Sequence, residues 1–373
     1  MSKKKLFKYI VLFFFLFFIF ACNENEKKYS SMPKTSIFFR DSIKSIDVKV
    51  YAINEEFLFG FPRKILFVDS LIYVYDSILK KKVNIFSNNG KYLFSFCEEG
   101  DSLGQIKQVT NMGFYSHDGA KLYLYDNLTH KILFCDFINN KVNIRDSIVS
   151  KLDTISNSNE IHILDDHQLF YLGNKNNSRY MILNTETNQF ISSYSEFPQI
   201  IGVGNSPDII NSDIFFNTYS MRSFTPKMDR FVSATSIGEI LEIFRISEKY
   251  EIIREKQIII SSPLIKTKNE KSYIDKKKQS GFYTIDVTDS YIFTVLGYIE
   301  KEGEVIKPNR KNFYIFDWNG NLLKNFKTDI NVITFKVDEI NNVIYVLGNK
   351  DQEKIKLYII NIKELYKQAK TPL

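Results

Sequence analysis

Short apolar runs separated by polar turn residues repeat along most of the chain. The runs are rich in β-branched and aromatic residues, and clusters of Asn, Gly, Asp and Ser interrupt them. Helical periodicity, in which apolar residues return every three or four positions, is scarce. This alternation is typical of an all-β fold built from short antiparallel strands.

The clearest turn signals are Asn-Gly pairs that lie between two apolar runs. In KVNIFSNNGKYLFSF the turn falls at Asn89-Gly90, and in FYIFDWNGNLLKNF it falls at Asn319-Gly320. Both residue types tolerate the positive φ angles that a tight hairpin needs. A third run, YMILNTETNQFISSY, has the same arrangement with a softer turn. Each of the three runs predicts a β-hairpin.

Each hairpin belongs to a repeating unit that also contains a strand pair joined by an acidic turn. The acidic turn residues that mark the units are Asp69, Asp118, Asp165, Asp229, Asp289 and Asp338. They recur at intervals of roughly 50 to 60 residues, which predicts six four-stranded blades of a β-propeller. We expect these aspartates to be structural, because Asp accepts hydrogen bonds from its own backbone in tight turns.

One strand-like segment, residues 36–52, lies outside the six units. It reads SIFFRDSIKSIDVKVYA, and the last unit reaches LYIINIKELY near the C-terminus. A propeller has to close its ring, because an open edge strand leaves backbone groups unpaired. We therefore expect the N-terminal segment to add the outer strand to the last blade, or to pair beside it.

The first 21 residues have the layout of a secretory signal. Four lysines precede residues 9–20, which are all apolar or aromatic, and the small residue Ala21 follows. The apolar run is shorter than the roughly 20 residues that span a bilayer, and this layout is the usual one for a cleaved signal. An uncleaved anchor helix is the alternative. Residues 22–35 are polar and predict a flexible tether to a propeller at 36–373.

The charge of the chain argues against a nucleic-acid partner. The formal net charge is +7, but the signal carries four lysines and no acidic residue, so +3 remains after it. Basic and acidic residues are mixed along the rest of the chain, whereas a nucleic-acid surface concentrates basic residues on one face.

Two of the three cysteines, Cys97 and Cys135, lie in apolar runs. They are predicted to be buried thiols, with a disulfide as the alternative.

Four features of the chain resemble the TolB-like six-bladed β-propeller lipoproteins of Bacteroides-type bacteria. They are the lipobox-like IFAC ending at Cys22, the blade opening FPRKILFVDSLIYVYD, the hairpin VNIFSNNGKYLFSF and the connection EEGDSLGQIKQV. The resemblance implies cleavage after Ala21, lipidation of Cys22 and a place in the cell envelope. The outer membrane is the expected membrane, with a periplasmic or surface face.

The sequence contains few signals for catalysis. The motifs HExxH and GxSxG and the phosphate-binding P-loop do not occur in it. His162 and His167 bracket Asp165-Asp166, where a metal cluster competes with the simpler interpretation of a solvated turn. Side chains in a strand alternate between its two faces, so these groups need not converge. No cofactor or metal is predicted.

Two classes of function remain open from the sequence. The favoured one is a non-catalytic binding or scaffold module for a protein or glycan, attached to the membrane through its lipid. The alternative is an enzyme, a hydrolase or lyase acting on an envelope or glycan substrate, with its site in the central funnel. Arg63 and Arg222 flank predicted inner strands and are the candidate funnel-lining residues, although each could be a surface or turn arginine.

Overall fold

The computed structural model describes the chain in twelve stretches, which are residues 46–102, 104–115, 121–138, 141–148, 160–172, 178–196, 219–262, 265–268, 271–274, 280–302, 305–350 and 353–363. The predicted signal and tether, with Ala21 and Cys22, lie outside these residues, and so does Asp118. No helix within the described stretches is long and apolar enough to cross a bilayer.

The described residues form six four-stranded antiparallel blades, as the repeat predicts. The two N-terminal strands are β1 (Ile46–Asp47) and β2 (Tyr51–Asn54). The first blade contains β3 (Pro62–Val68), β4 (Leu71–Asp76), β5 (Lys81–Ser87) and β6 (Tyr92–Glu98). The second contains β7 (Val109–Tyr115), β8 (Lys121–Asp126), β9 (Lys131–Ile138) and β10 (Lys141–Ile148). The third contains β11 (Ile161–Ile163), β12 (Gln168–Leu172), β13 (Tyr180–Asn184) and β14 (Gln189–Tyr194).

The remaining blades follow the same order, with one extra hairpin between them in the sequence. The fourth blade contains β15 (Tyr219–Phe224), β16 (Arg230–Thr235), β17 (Glu239–Ile246) and β18 (Ile252–Ser261). The extra hairpin contains β19 (Ile265–Lys268) and β20 (Lys271–Ile274). The fifth blade contains β21 (Gly281–Val287), β22 (Tyr291–Glu302), β23 (Val305–Asp317) and β24 (Leu322–Lys327). The sixth contains β25 (Asn331–Asp338), β26 (Val343–Asn349) and β27 (Lys356–Asn361).

The N-terminal strand closes the ring, which confirms the prediction. Strand β2 pairs antiparallel with β27, so the strand order of the sixth blade is β2-β27-β26-β25. The residues of β2 lie at the end of the predicted segment, residues 36–52, and just beyond it. Strand β1 pairs in parallel with β24, at the outer edge of the fifth blade. The N-terminal segment therefore completes the sixth blade through β2 and pairs with the fifth blade through β1.

The closing strand also contacts the hairpin turn of the first blade. Gly90 in that turn has a φ of 84°, which a residue with a Cβ adopts only at a cost. A Cβ placed on Gly90 would lie 2.2 Å from the carbonyl oxygen of Ile53. The side-chain nitrogen of Asn54 donates a hydrogen bond of 2.7 Å to the carbonyl oxygen of Gly90. Strand β2 thus ties the sixth blade to the first.

Apolar clusters fill the spaces between neighbouring blades. Cys97 and Cys135 are buried in the cluster between the first and second blades, and no disulfide joins these two described cysteines. Burying one large aliphatic or aromatic side chain contributes about 1.5–3 kcal/mol to the free energy of folding. The blades are therefore held together mainly by apolar contacts, and both thiols are buried as predicted.

Aspartates hold the turns of the blades in two ways. Asp165 accepts backbone hydrogen bonds from the N–H groups of His167 and Gln168, as expected for an acidic turn residue. A second type was not predicted. Asp76, at the end of β4, accepts hydrogen bonds from the N–H groups of Gly60 and Phe61. It thereby fixes the backbone that leads into the inner strand of its own blade.

Candidate functional site

A central channel runs between the first strands of the six blades. It contains a wide cavity of about 700 Å³, here called the mouth, and an adjoining narrow cavity of about 270 Å³. The side chains that line both cavities define the waist, and they are Lys64, Met112, Arg222, Ile285 and Thr334. The mouth also borders the connections that lead into the inner strands and the turns that follow the second strands. A site at the waist can therefore draw on all of the blades.

β-Bulges in the inner strands determine which side chains face the channel. Neighbours on a regular strand point to opposite faces, yet both Arg63 and Lys64 line the mouth. The pairing of β3 with β4 shifts register between Pro62 and Lys64, which leaves Arg63 as an extra residue. The same irregularity precedes three other channel residues, namely Asn111, Thr284 and Thr334. A bulge commonly re-aims a side chain in this way next to a functional site.

The structure places the two arginines singled out from the sequence at different depths of the channel. Arg63 is exposed at the mouth, with its guanidinium 3.9 Å from the ring centroid of Phe61. The Arg222 side chain is only 4% exposed and lines both cavities. That either residue binds a ligand stays a prediction.

Lys64 and Asn111 link the first three blades. The Lys64 ammonium donates a hydrogen bond of 2.5 Å to Asn111 Oδ1. The Asn111 amide nitrogen donates to the carbonyl oxygen of Ile161, and Oδ1 also accepts from the N–H of Met112. Because both ends of the amide are engaged, its oxygen is held facing Lys64.

Glu160 links the third and fourth blades. Arg222 Nε donates to Glu160 Oε2 over 2.8 Å, and His162 Nε2 lies 2.7 Å from Oε1. Burial disfavours the charged carboxylate of Glu160, but Arg222, His162 and Lys64 outweigh burial and hold its pKa below the usual range. Burial lowers the pKa of His162. The imidazole is therefore neutral, and Nε2 carries the proton that it donates to Glu160.

Asp286 links the fourth, fifth and sixth blades. Its Oδ1 lies 2.7 Å from the Lys336 ammonium and accepts a hydrogen bond of 3.3 Å from the Ser223 hydroxyl. Its Oδ2 accepts a hydrogen bond of 2.8 Å from the N–H of Val337. All of these groups belong to inner strands, so the carboxylate ties three blades together at the channel wall.

These hydrogen bonds and ion pairs connect the inner strands in order from the first blade to the sixth, and the inner strands of the sixth and first blades, β25 and β3, pack together. No hydrogen bond or ion pair joins Lys336 of the sixth blade to Lys64 of the first among the described residues. Burial lowers the pKa of Lys64 to about 8, Glu160 opposes this effect, and the positive charge of Lys336 adds to it. The charged residues at the waist and directly beside it form one group, which we call the waist cluster: Lys64, Glu160, Arg222, Asp286 and Lys336. It has three basic and two acidic side chains, hence one surplus positive charge.

The histidines considered as metal ligands do not converge. His162 points to Glu160 in the channel wall, whereas His167 Nδ1 lies 3.2 Å from Glu186 on an exposed turn. In the part of the chain that the structure describes, no three His, Cys, Asp or Glu side chains are grouped so that they could hold a metal ion. The solvated-turn interpretation is right for His167 and wrong for His162, which is buried.

A second charge network lies between the third and fourth blades, lines neither cavity and has a buried ion pair at its centre, while its outer members Arg254 and Glu196 reach solvent. The side chains of Arg179 and Glu242 are both 0% exposed, and Arg179 Nη2 lies 2.5 Å from Glu242 Oε2. Arg254 contacts Glu242 over 3.0 Å and Glu196 over 3.1 Å. The guanidinium of Arg179 is 4.8 Å from the ring centroid of Tyr180. We call Arg179, Glu196, Glu242 and Arg254 the blade-interface network, in which basic and acidic groups balance.

These features define a six-bladed β-propeller with a polar central channel. The TolB-like 6-blade propeller-like family model matches residues 39–340, so the chain belongs to this family. No curated protein sequence matches the chain.

Solved structures support the fold alone. A Bacteroides fragilis protein named as an inferred exported protein is 10% identical, with a TM-score of 0.53 over 86% of this chain and 95% of that chain. Regucalcin from Agrobacterium tumefaciens, a calcium-binding protein, is 8% identical, with a TM-score of 0.46 over 85% of this chain and 96% of that chain. A luciferin-regenerating enzyme is 10% identical, with a TM-score of 0.48 over 84% and 95%. The last two similarities are too weak to carry an argument.

Proposed function

We propose that this protein is a lipid-anchored binding module of the cell envelope that holds a small ligand in the mouth of its channel without transforming it. The observation that carries the proposal is the mouth itself. Its volume of about 700 Å³ lies within the roughly 300–1,000 Å³ typical of small-molecule sites. Hydroxyl, amide and charged groups from several blades line it, and such groups suit a polar glycan or peptide.

The fixed protonation states at the waist favour binding over acid–base chemistry. Glu160 is held as a carboxylate by Arg222 and His162, and its lowered pKa makes it a poor proton acceptor near neutral pH. The Nε2 proton of His162 is already engaged in the hydrogen bond to Glu160. These two groups therefore position each other and hold the channel wall.

One observation favours the alternative of a funnel-site enzyme. Burial brings the pKa of Lys64 down to about 8, and a lysine that loses its proton near neutral pH can act as a base or a nucleophile. The two functions differ in the fate of the ligand. A binding module releases its ligand unchanged, whereas a hydrolase or lyase on an envelope or glycan substrate releases a product of different mass.

The test uses mature protein incubated with fractionated envelope glycans and peptides, with bound material identified by mass spectrometry after release. We expect a ligand of unchanged mass that is lost in Thr110→Trp, because Thr110 lines the mouth and tryptophan would fill part of it. Leu93→Trp is the matched control, since Leu93 is exposed on the outer strand β6. Equal capture by both variants would contradict a site in the mouth, and a ligand of altered mass would favour the enzyme.

The envelope location rests on the sequence signals, and the name of the similar B. fragilis structure, that of an exported protein, is in line with it. Acyl chains on Cys22 would hold the protein at the membrane, because each buried methylene contributes about 0.8 kcal/mol. A fatty-acid probe fed to the cells should label the wild type and leave Cys22→Ser unlabelled. Equal labelling of both proteins would rule out Cys22 as the lipid site.

A further inference from the structure

We infer that the channel binds its ligand by an acid group, a carboxylate or a phosphate, which lies at the waist with Lys64 as its principal counter-ion. This inference rests on the proposed function and adds the chemical class of the ligand. Of the waist cluster, Arg222 was singled out from the sequence and Lys64 was not.

The pairing within the waist cluster leaves Lys64 as the surplus cation. Arg222 pairs with Glu160, and Lys336 pairs with Asp286. The hydrogen bond that Lys64 makes among the described residues goes to the neutral amide of Asn111. An ammonium has three N–H donors, so two of them remain to bind an acceptor in the channel.

An unpaired charge in a desolvated site is unfavourable, and a bound anion would relieve this cost. The lowered pKa of Lys64 has burial as its largest cause, followed by the competing fields of Glu160 and Lys336. An oxyanion beside Lys64 would favour its charged form. It would also neutralise the repulsion between Lys64 of the first blade and Lys336 of the sixth.

Arg222 and the mouth supply two further observations that point to an anion. Arg222 Nη1 is buried and has no hydrogen-bond acceptor among the described residues, although Arg222 lines both cavities. Among the described residues, five basic side chains line the mouth against two acidic ones. Arg63 is exposed at the mouth, and no described carboxylate pairs with it. A cavity lined by one sign of charge concentrates ligands of the opposite sign.

The test measures binding of inorganic phosphate, D-galacturonate and neutral D-galactose by calorimetry, with thermal midpoints as a second readout. We expect at least one of the two anions to bind saturably, and galactose to bind at least tenfold more weakly than that anion. Comparing phosphate with galacturonate shows which acid group the waist prefers.

Variants assign the binding to Lys64. Lys64→Met should weaken binding of the anion at least tenfold, and Lys64→Arg, which keeps the charge, should restore most of it. Lys107→Met is the matched control, because Lys107 lines the same mouth but is exposed and already paired with Asp101. We expect its effect to stay within twofold. Equal losses in Lys64→Met and Lys107→Met, or failure of both anions to bind, would overturn the inference.

The inference and the proposed function fail in different ways. An envelope ligand that is lost in Thr110→Trp and retained in Lys64→Met would leave the binding module in place and remove the acid-group claim. Absence of any ligand that depends on the mouth would remove both.

Discussion

Two charge networks in the propeller differ in charge balance and in their access to the central channel. In the blade-interface network, the ion pair of Arg179 and Glu242 is fully buried, aromatic rings surround it, and positive and negative groups are equal in number. The waist cluster lies along the channel wall, Glu160 is 16% exposed, and one positive charge is in excess. Both networks link blades, but only the waist cluster lies on a cavity.

The contrast separates a structural role from a binding role. A sealed ion pair such as Arg179 with Glu242 must be neutral, because removing charges from water costs several kcal/mol for each ion that is not paired. A network that faces a cavity can retain a surplus charge, since water or a ligand can neutralise it. We therefore expect changes in the first network to affect stability alone, and changes in the second to affect binding as well.

The largest effect is expected from Glu242→Gln, which leaves Arg179 without a counter-ion in a sealed site. The free energy of unfolding should fall by about 3–5 kcal/mol, as measured by chemical denaturation. Glu255→Gln is the control, because the pair of Arg245 and Glu255 is partly exposed and such pairs contribute at most about 1 kcal/mol. Similar losses in the two variants would contradict a structural role for the blade-interface network.

A smaller loss, about 1–3 kcal/mol, is expected from Glu160→Gln. Water in the channel can partly replace the carboxylate at Arg222, which is impossible at Arg179. At a pH where Lys64 stays protonated, the surplus charge would rise from one to two, so binding of the acid probe should tighten several-fold while stability falls. Unchanged or weaker binding of the probe in this variant would argue against electrostatic recognition at the waist.

The smallest of the three stability effects concerns Lys64→Met and depends on pH. The unfolded chain keeps the Lys64 proton up to about pH 10.4, whereas the folded protein releases it near pH 8. Between these values the unfolded state binds more protons, so wild-type stability rises with pH relative to the variant. The free energy of unfolding of the variant minus that of the wild type should therefore fall by about 1–2 kcal/mol across this window.

Denaturation curves at pH 7, 8, 9 and 10 measure that difference. Lys107→Met should show no such fall, because a hydrogen bond to Asp101 raises the pKa of the exposed Lys107. A difference for Lys64→Met that stays constant over the window would mean that the folded state does not disfavour the charge.

The fold followed from the sequence because its signals are local. The hairpin at Asn319-Gly320 depends on adjacent residues, and Gly320 has the positive φ of 79° that the turn requires. The spacing of such units fixes the number of blades. Ring closure needed one non-local argument, that an open edge strand must be covered, and the pairing of Tyr51 with Ile359 confirms it.

The site was harder to predict because it depends on register and on contacts between distant blades. Regular alternation would place Arg63 and Lys64 on opposite faces, and the bulge that brings both to the mouth has no clear sequence signal. The sequence does contain one signal that could have been used. Lys64, Asp286 and Lys336 are charged residues within predicted inner strands, and such charges are expected to face a channel more readily than a packed interface.

The most direct test of the contrast between the two networks is the proton affinity of Lys64. Its Nζ resonance can be followed by NMR over pH 6–11 and assigned from its absence in Lys64→Arg. We predict an apparent pKa of about 8 for the protein alone, and a higher value when the acid probe is bound. A pKa near 10.4 that the probe does not change would contradict a surplus, partly buried cation at the waist.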